Sequence, residues 1–189
     1  PKLITSLESQ IYQNWKLIFV DGKSNYDHKE YLKSICKNNC NFRIIEQSNK
    51  SRGIYGAMND GLLLAEKDEW VLFLGSDDWI DNKKTLFDLN MLIQNCSEIP
   101  DLIIAEARYY DSNLKMRRVS KFKYIKNLNF SLFVGFTPPH QGTLFGPGSL
   151  QKIKFFDENI SLSADLDFFL KLRKYDDLNI KTFDKNIVK

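Results

Sequence analysis

Long hydrophobic runs are absent from this chain of 189 residues. No stretch reaches the roughly 18 consecutive apolar residues of a membrane-spanning helix, and the N-terminal residues lack the pattern of a secretion signal. Cysteine and histidine are scarce, the complete set being Cys36, Cys40, Cys96, His28 and His140. An odd number of cysteines and the lack of a second cysteine pair disfavour a disulfide framework and a zinc site, and they fit a reduced, cytoplasmic protein.

A strong excess of charge of one sign is also lacking. The 27 basic and 24 acidic residues are mixed along the chain and leave a net charge of +3. This balance gives little reason to expect nucleic acid as a partner. Hydrophobic residues make up 43% of the chain, so we expect one folded domain over residues 1–189 and not a disordered polymer.

Apolar residues recur at helical spacing in segments that alternate with short apolar runs. The first segment predicts a helix from Leu3 that ends near Asn14, and the run Leu17 to Val20 predicts a buried strand. The same patterns predict further helices at 31–36, 54–65, 86–93 and 166–172, and strands at 42–45, 71–74, 102–109 and 180–183. Such alternation is typical of an α/β fold with a mostly parallel sheet and helical crossovers. Proline and glycine between 138 and 148 predict an irregular, partly antiparallel C-terminal region.

The most informative stretch is an apolar run, Trp70 to Leu74, that ends in Ser76, Asp77 and Asp78. An apolar run without alternation is typical of a parallel strand covered on both faces, and ligands bind beyond the carboxyl ends of such strands. Two adjacent carboxylates there repel each other and lose hydration, a cost that a divalent cation would remove. A turn followed by a helix cap is the alternative, because Asp is favoured at both.

Four stretches occur in the order SLESQIYQNWKLIFVDGKS, RGIYGAMNDGL, WVLFLGSDDW and FDENISLSADLDFFLKL. Together they resemble family 2 of the inverting glycosyltransferases, which have the GT-A fold, and they look closest to bacterial members that build surface polysaccharides. The resemblance implies a nucleotide-sugar-binding part at residues 1–100 and an acceptor-binding, catalytic-base part at 101–189. It also implies that the chain starts inside the helix that follows the family's first strand.

The resemblance assigns donor-side roles position by position. Asp21 would accept a hydrogen bond from the nucleotide base, usually uracil, and Arg52 would contact the nucleotide. Gly53 and Asn59 match a small-residue helix that approaches the nucleotide, and Gly61 within that helix hints at close packing. Asp77 would contact ribose or metal, while Asp78 would bind Mn²⁺ or Mg²⁺. The alternatives are that Asp21 is a turn residue, that Arg52 is a surface residue, and that the small-residue helix packs closely without a ligand.

The acceptor side takes its roles from SADLDFFL and PPHQG. Asp165 matches the general base that removes a proton from the acceptor hydroxyl. Asp167 would be the base if the alignment shifts by two residues, and a helix-terminal carboxylate with Ser163 as the cap is the structural alternative. His140 and Gln141 are expected to line the acceptor side.

The expected activity is metal-dependent, inverting transfer of a sugar from a UDP-sugar, or less readily from another nucleotide-sugar. The expected acceptor is a glycan or a lipid-linked sugar in polysaccharide biosynthesis. The apolar segment Phe130 to Phe136 would allow peripheral contact with the inner face of a membrane. The alternatives are a non-catalytic sugar-nucleotide-binding or scaffold protein and a nucleotidyltransferase of related fold.

Overall fold

Helices and strands alternate through the first hundred residues of the computed structural model, which describes residues 2–111, 113–120, 122 and 127–189. The elements of this half are α1 (Lys2–Glu8), β1 (Leu17–Asp21), α2 (Tyr26–Asn38), β2 (Phe42–Glu46), α3 (Gly53–Leu62), β3 (Val71–Leu72) and α4 (Thr85–Gln94). The predicted order of elements is therefore confirmed in this half.

The second half contains shorter elements and more turns. They are β4 (Leu102–Tyr110), β5 (Met116–Ser120), α5 (Leu128–Phe133), a 3-10 turn (His140–Gly142), β6 (Thr143–Phe145), α6 (Pro147–Lys152), α7 (Ala164–Leu172) and β7 (Ile180–Val188). The predicted segment Phe130 to Phe136 covers most of α5, and Phe133 within it is 84% exposed.

The strands form one parallel pair and one mixed sheet. Strands β1 and β2 are parallel, with Leu17 opposite Phe42 and Asp21 opposite Glu46. In the mixed sheet β6 lies between β3 and β4, antiparallel to both, while β7 runs parallel to β4 on the other edge. Strand β5 pairs antiparallel with the distal half of β4. The α/β class and the antiparallel strands of the C-terminal region are thus confirmed. The expectation that the run 71–74 forms a parallel strand was wrong, because β3 pairs antiparallel with β6.

Several predicted boundaries were wrong, and three of them have a clear structural cause. Helix α1 ends at Glu8 and not near Asn14. The buried side chain of Gln10, two residues beyond the helix, donates to the Asn82 carbonyl and accepts from the Leu86 N–H, which holds this part of the chain against residues 82–86. Strand β3 ends at Leu72, since its three-residue partner β6 pairs only with its two residues. Strand β7 continues to Val188 because its parallel pairing with β4 continues that far.

The hydrophobic core lies on both faces of the mixed sheet. Leu102 and Ile104 of β4 belong to a cluster that includes residues of α3 and α7. Ile103 and Ala105 belong to a second cluster with residues of α1 and α4. Because alternate side chains of a strand point to opposite faces, β4 is buried on both sides. Each fully buried aliphatic side chain contributes about 1.5–3 kcal/mol, which fixes the sheet as the platform for the loops around it.

Candidate active site

The predicted acidic motif lies in a tight turn after β3. The backbone N–H of Asp78 donates to the carbonyl of Gly75 at 3.2 Å, and Asp78 Oδ2 accepts from the Gly75 N–H at 2.6 Å. A Cβ on Gly75 would lie 2.9 Å from Asp77 Oδ1 and 3.2 Å from Asp78 Oδ2. Both carboxylates therefore converge on one side of the turn.

The electrostatic environment of Asp78 is unfavourable for its charge. Burial raises the pKa of Asp78, and the neighbouring charge of Asp77 raises this pKa further. The hydrogen bond from Gly75 and the charge of His140 act in the opposite direction without cancelling the rise. A cation beside this turn would therefore relieve a cost that the free protein carries.

Two convergent carboxylates fit a Mg²⁺ or Mn²⁺ site that is completed by a ligand. No group of three or more His, Cys, Asp and Glu side chains forms a complete metal site within the residues described. Mg²⁺ is commonly held by one or two carboxylates together with substrate phosphates and water. Asp77 and Asp78 would supply the two carboxylates of such a set.

Asp165 lies in the first turn of α7, with a partner on each carboxylate oxygen. The Tyr55 hydroxyl donates to Oδ1 at 3.2 Å, and His140 Nδ1 lies 3.2 Å from Oδ2. The hydrogen bond to His140 is the largest influence on the pKa of Asp165, and with the bond from Tyr55 it outweighs burial and lowers that pKa. The carboxylate is therefore held ionised, as a proton acceptor must be at neutral pH.

Asp167 lies two residues further along α7, and its carboxylate forms an ion pair with Lys171 at 2.6 Å. Ser163 precedes the helix with a left-handed backbone (φ 66°) and makes no side-chain cap bond, so capping by Ser163 was a wrong expectation. The left-handed residue turns the chain directly into the helix, and the Asp167 N–H bonds the Ser163 carbonyl instead.

Asp78, which is expected on the donor side, and Asp165, which is expected on the acceptor side, both influence the pKa of Tyr109. Burial raises the pKa of Tyr109 most, the charge of Arg118 opposes this, and the charges of Asp78 and Asp165 raise it further. The Tyr109 hydroxyl donates to Gln141 Oε1 at 3.2 Å. The structure thus brings the acidic turn, the 3-10 turn and the start of α7 together.

Asp21 is at the end of β1, and its side chain is only 2% exposed. Burial raises the pKa of Asp21, but hydrogen bonds from Ser24 and the charge of Lys29 outweigh it and lower the pKa overall. Lys29 Nζ lies 3.8 Å from Asp21 and 2.8 Å from Glu46. Both oxygens of this carboxylate accept from the Ser24 backbone N–H, and recognition of a nucleotide base by Asp21 stays a prediction.

The start of α3 is joined to the segment that leads into α7. Glu158 accepts from the Arg52 backbone N–H and from Asn59 Nδ2, both at 2.9 Å. Asn59 also donates to the Phe156 carbonyl and accepts from the Phe156 N–H, so both of its amide hydrogens have partners inside the protein. Nucleotide binding by Arg52, Gly53 and Asn59 stays a prediction, and the recorded bonds of Asn59 are structural.

Sequence patterns missed two of these residues. The helical spacing of Tyr55 with Met58 predicts a core position. This prediction describes the buried ring of Tyr55 and gives no signal for its hydroxyl. The helical spacing of Ile54 with Met58 also predicts a core position, but this expectation is wrong because α3 turns Ile54 to solvent, where it is 60% exposed. Glu158 gave no signal, since its partners lie about a hundred positions earlier.

Comparison with known proteins decides the family. Residues 1–158 match the family described as Glycosyl transferase family 2. The chain belongs to glycosyl transferase family 2. Relatives of this family 2 chain include the PGL/p-HBAD biosynthesis glycosyltransferases of Mycobacterium bovis (strain BCG / Pasteur 1173P2) and Mycobacterium tuberculosis (strain ATCC 25177 / H37Ra). Each is 30% identical over 115 residues, or 61% of this chain and 44% of the relative.

The fold of this family 2 chain agrees with a solved structure. The crystal structure of S. aureus TarS 1–349 superposes with a TM-score of 0.75 at 23% identity and covers 99% of this chain and 55% of that one. The GT-A-like fold expected from the sequence is therefore confirmed. The chain spans less than half the length of the curated relatives. No helix in the described part of the chain combines the length and apolar character needed to cross a bilayer.

Proposed function

We propose that this chain is the donor-binding and catalytic part of an inverting glycosyltransferase. The observation that carries the proposal is the Asp165 carboxylate, which is held ionised by two partners in the electrostatic neighbourhood of the Asp78 turn. Membership of family 2 supports the class of reaction. The donor class is a nucleotide-sugar, with a UDP-sugar as the first candidate, and the acceptor is a hydroxyl of a glycan or a lipid-linked sugar.

Asp77 and Asp78 would hold the divalent cation, Mn²⁺ or Mg²⁺, on the side of the turn where their carboxylates converge. When bound, the cation neutralises negative charge on the departing diphosphate. The site at the end of β3 suits an anionic diphosphate only with such a cation, because both side chains carry negative charge. Donor binding should therefore depend on the metal.

In the transfer step, the acceptor oxygen bonds to the anomeric carbon of the sugar from the face opposite the leaving group. The bond from that carbon to the diphosphate oxygen breaks, and its electron pair leaves with the nucleoside diphosphate. Asp165 takes the proton of the acceptor hydroxyl. His140 orients the carboxylate for this transfer. Gln141 is on the same side, where its Oε1 accepts from the Tyr109 hydroxyl.

The test compares Asp165→Asn with Asp167→Asn in two assays. The first assay measures the melting temperature with UDP, GDP, CDP and dTDP, each with and without Mn²⁺. The second measures release of nucleoside diphosphate from the matching nucleotide-sugar. We expect the largest Mn²⁺-dependent stabilisation with UDP, of about 2.7 kcal/mol at a hundred times the dissociation constant.

Asp165→Asn should keep this nucleotide shift and lose turnover by about 100-fold or more, because general base catalysis contributes on that scale. Asp167→Asn breaks only the ion pair with Lys171 and should turn over far faster than Asp165→Asn. Full turnover by Asp165→Asn would overturn the proposal. Nucleotide binding without release from any donor in the unmodified chain would instead favour a non-catalytic binding protein.

A further inference from the structure

The hydroxyl of Tyr55 has no role in the proposed transfer chemistry beyond its contact with Asp165. It belongs to α3, on the donor side of the molecule, whereas Asp165 belongs to α7 and is 110 positions later. The aromatic ring is buried and stacks on Phe156 with ring centroids 5.8 Å apart. The ring therefore has a packing partner of its own, and the hydroxyl is a separate feature.

The surroundings of Tyr55 fasten α3 to the base-bearing segment at several points. One turn after Tyr55, Asn59 exchanges two hydrogen bonds with the backbone of Phe156. At the start of the helix Glu158 accepts from the Arg52 N–H. Arg52, Asn59 and the Tyr55 ring each contact residues 156–158, so the position of the Tyr55 hydroxyl is fixed by contacts other than its own hydrogen bond.

We propose that Tyr55 is a positioning residue for the general base, holding Asp165 through its hydroxyl and joining the placement of the base to the donor-side helix α3. This inference rests on the proposed function of Asp165. A hydrogen bond from a fixed donor stabilises the ionised carboxylate and limits its rotation. Tyr55 then affects the reaction only through the state and orientation of Asp165.

Within the part of the chain that the structure describes, the ionisable groups that influence Asp165 come from three other elements. Tyr55 lies on α3, His140 on the 3-10 turn and Tyr109 on β4, where it senses the charge of Asp165. On its own helix, Asp167 is paired with Lys171. Hydrogen bonds from His140 and Tyr55 both lower the pKa of Asp165, so each can be removed separately and its effect compared.

Tyr55→Phe removes the hydroxyl and keeps the buried ring. We expect kcat to fall about tenfold, the scale of one hydrogen bond to a charged group. The acidic limb of the kcat–pH profile should move to higher pH, because Asp165 loses a bond that favours its charged form. The donor KM and the nucleotide-dependent thermal shift should stay unchanged, since the side-chain partner of the hydroxyl is Asp165.

Tyr175→Phe is the matched control. The Tyr175 hydroxyl donates to the Lys152 carbonyl at 3.2 Å, the same distance as in the Tyr55 bond, so the chemical change is identical. This variant should keep the acidic limb of the unmodified chain. A Tyr55→Phe profile that matches that limb, in a chain where Asp165→Asn abolishes turnover, would overturn the role of Tyr55 alone. Turnover by Asp165→Asn would instead overturn the proposed function.

Discussion

At the scale of single residues, the surroundings of Asp78 disfavour the negative charge of its carboxylate. Its pKa in the folded protein is raised above the usual value of 3.8, with burial as the main cause. The stability linked to this group is therefore present at low pH and is lost as pH rises through the folded-state pKa. At neutral pH the ionised Asp78 carboxylate therefore lowers the free energy of unfolding, although the same carboxylate suits a bound cation.

Asp78→Asn should therefore stabilise the metal-free chain at pH 7. Asparagine keeps an oxygen for the Gly75 N–H, so the turn survives while the charge is removed. We expect the melting temperature in EDTA to rise by about 2–4 °C, the effect of 1 kcal/mol in a chain of this size.

The gain should shrink as pH is lowered toward the carboxyl range, and the variant should lose the Mn²⁺-dependent part of the UDP shift. A lower melting temperature at pH 7 in EDTA would contradict the assignment of Asp78 as a destabilising charge. Retention of the Mn²⁺ dependence would contradict its role as a metal ligand.

The sequence motifs predicted candidate residues, whereas contacts between distant parts of the chain could not be predicted from them. Hydrophobic periodicity reports burial, so it placed the ring of Tyr55 correctly and was silent on its hydroxyl. The pairing of His140 with Asp165 links residues 25 positions apart, and the spacing of the two motifs gives no measure of that distance in space. Only the folded chain shows that Tyr55 and His140 both contact the Asp165 carboxylate.

At the scale of elements, two of the three glycines of helix α3 differ in the space around them. A Cβ on Gly56 would lie 2.9 Å from the Ser51 backbone and 2.9 Å from the Ser51 side chain. A Cβ on Gly61 would meet Val20 Cγ2 at 3.6 Å, which is ordinary contact. The sequence singled out Gly61, because glycine inside a helix is unfavourable, but the tight approach is at Gly56.

The two positions make a matched pair of Gly→Ala changes in one helix. Gly56→Ala should destabilise the chain by about 1–3 kcal/mol, as overpacking does, because backbone atoms cannot give way easily. Gly61→Ala should be neutral or stabilising by up to about 1 kcal/mol, since alanine restricts the unfolded chain and favours the helix. Urea unfolding at equal protein concentration measures both effects. Equal losses of stability would show that the space around Gly61 is as restricted as that around Gly56.

At the same scale, the sequence predicted which elements exist better than it predicted where they end. The apolar run 71–74 reads as one strand, yet only Val71 and Leu72 pair with β6, and Phe73 instead packs against Phe145 and Phe156. Hydrophobicity alone does not separate a paired strand from an apolar turn into the core. Boundaries depend on the partner strand, and no pattern in the run reports its length.

At the scale of the whole molecule, the acidic turn is fixed by strand β7, which lies more than a hundred positions away. Trp79 exchanges two backbone hydrogen bonds of 2.9 Å with Lys189, and the Asp81 N–H donates to the Ile187 carbonyl at 2.9 Å. Strand β7 in turn pairs along β4, the central strand. The position of the candidate metal ligands therefore depends on a sheet whose strands lie far apart in the sequence.

Ile187→Ala tests this dependence, with Leu172→Ala as its control. Both side chains are fully buried, on opposite faces of the sheet, and each truncation should cost about 2–5 kcal/mol. Only the first weakens the strand that holds the acidic turn. We expect amide hydrogen exchange at Trp79 and Asp81 to accelerate more in Ile187→Ala than in Leu172→Ala after correction for global stability, with a larger loss of Mn²⁺-dependent UDP binding. Equal exchange in the two variants would mean that the turn keeps its shape without β7, and the metal site would then be a local property of residues 75–78.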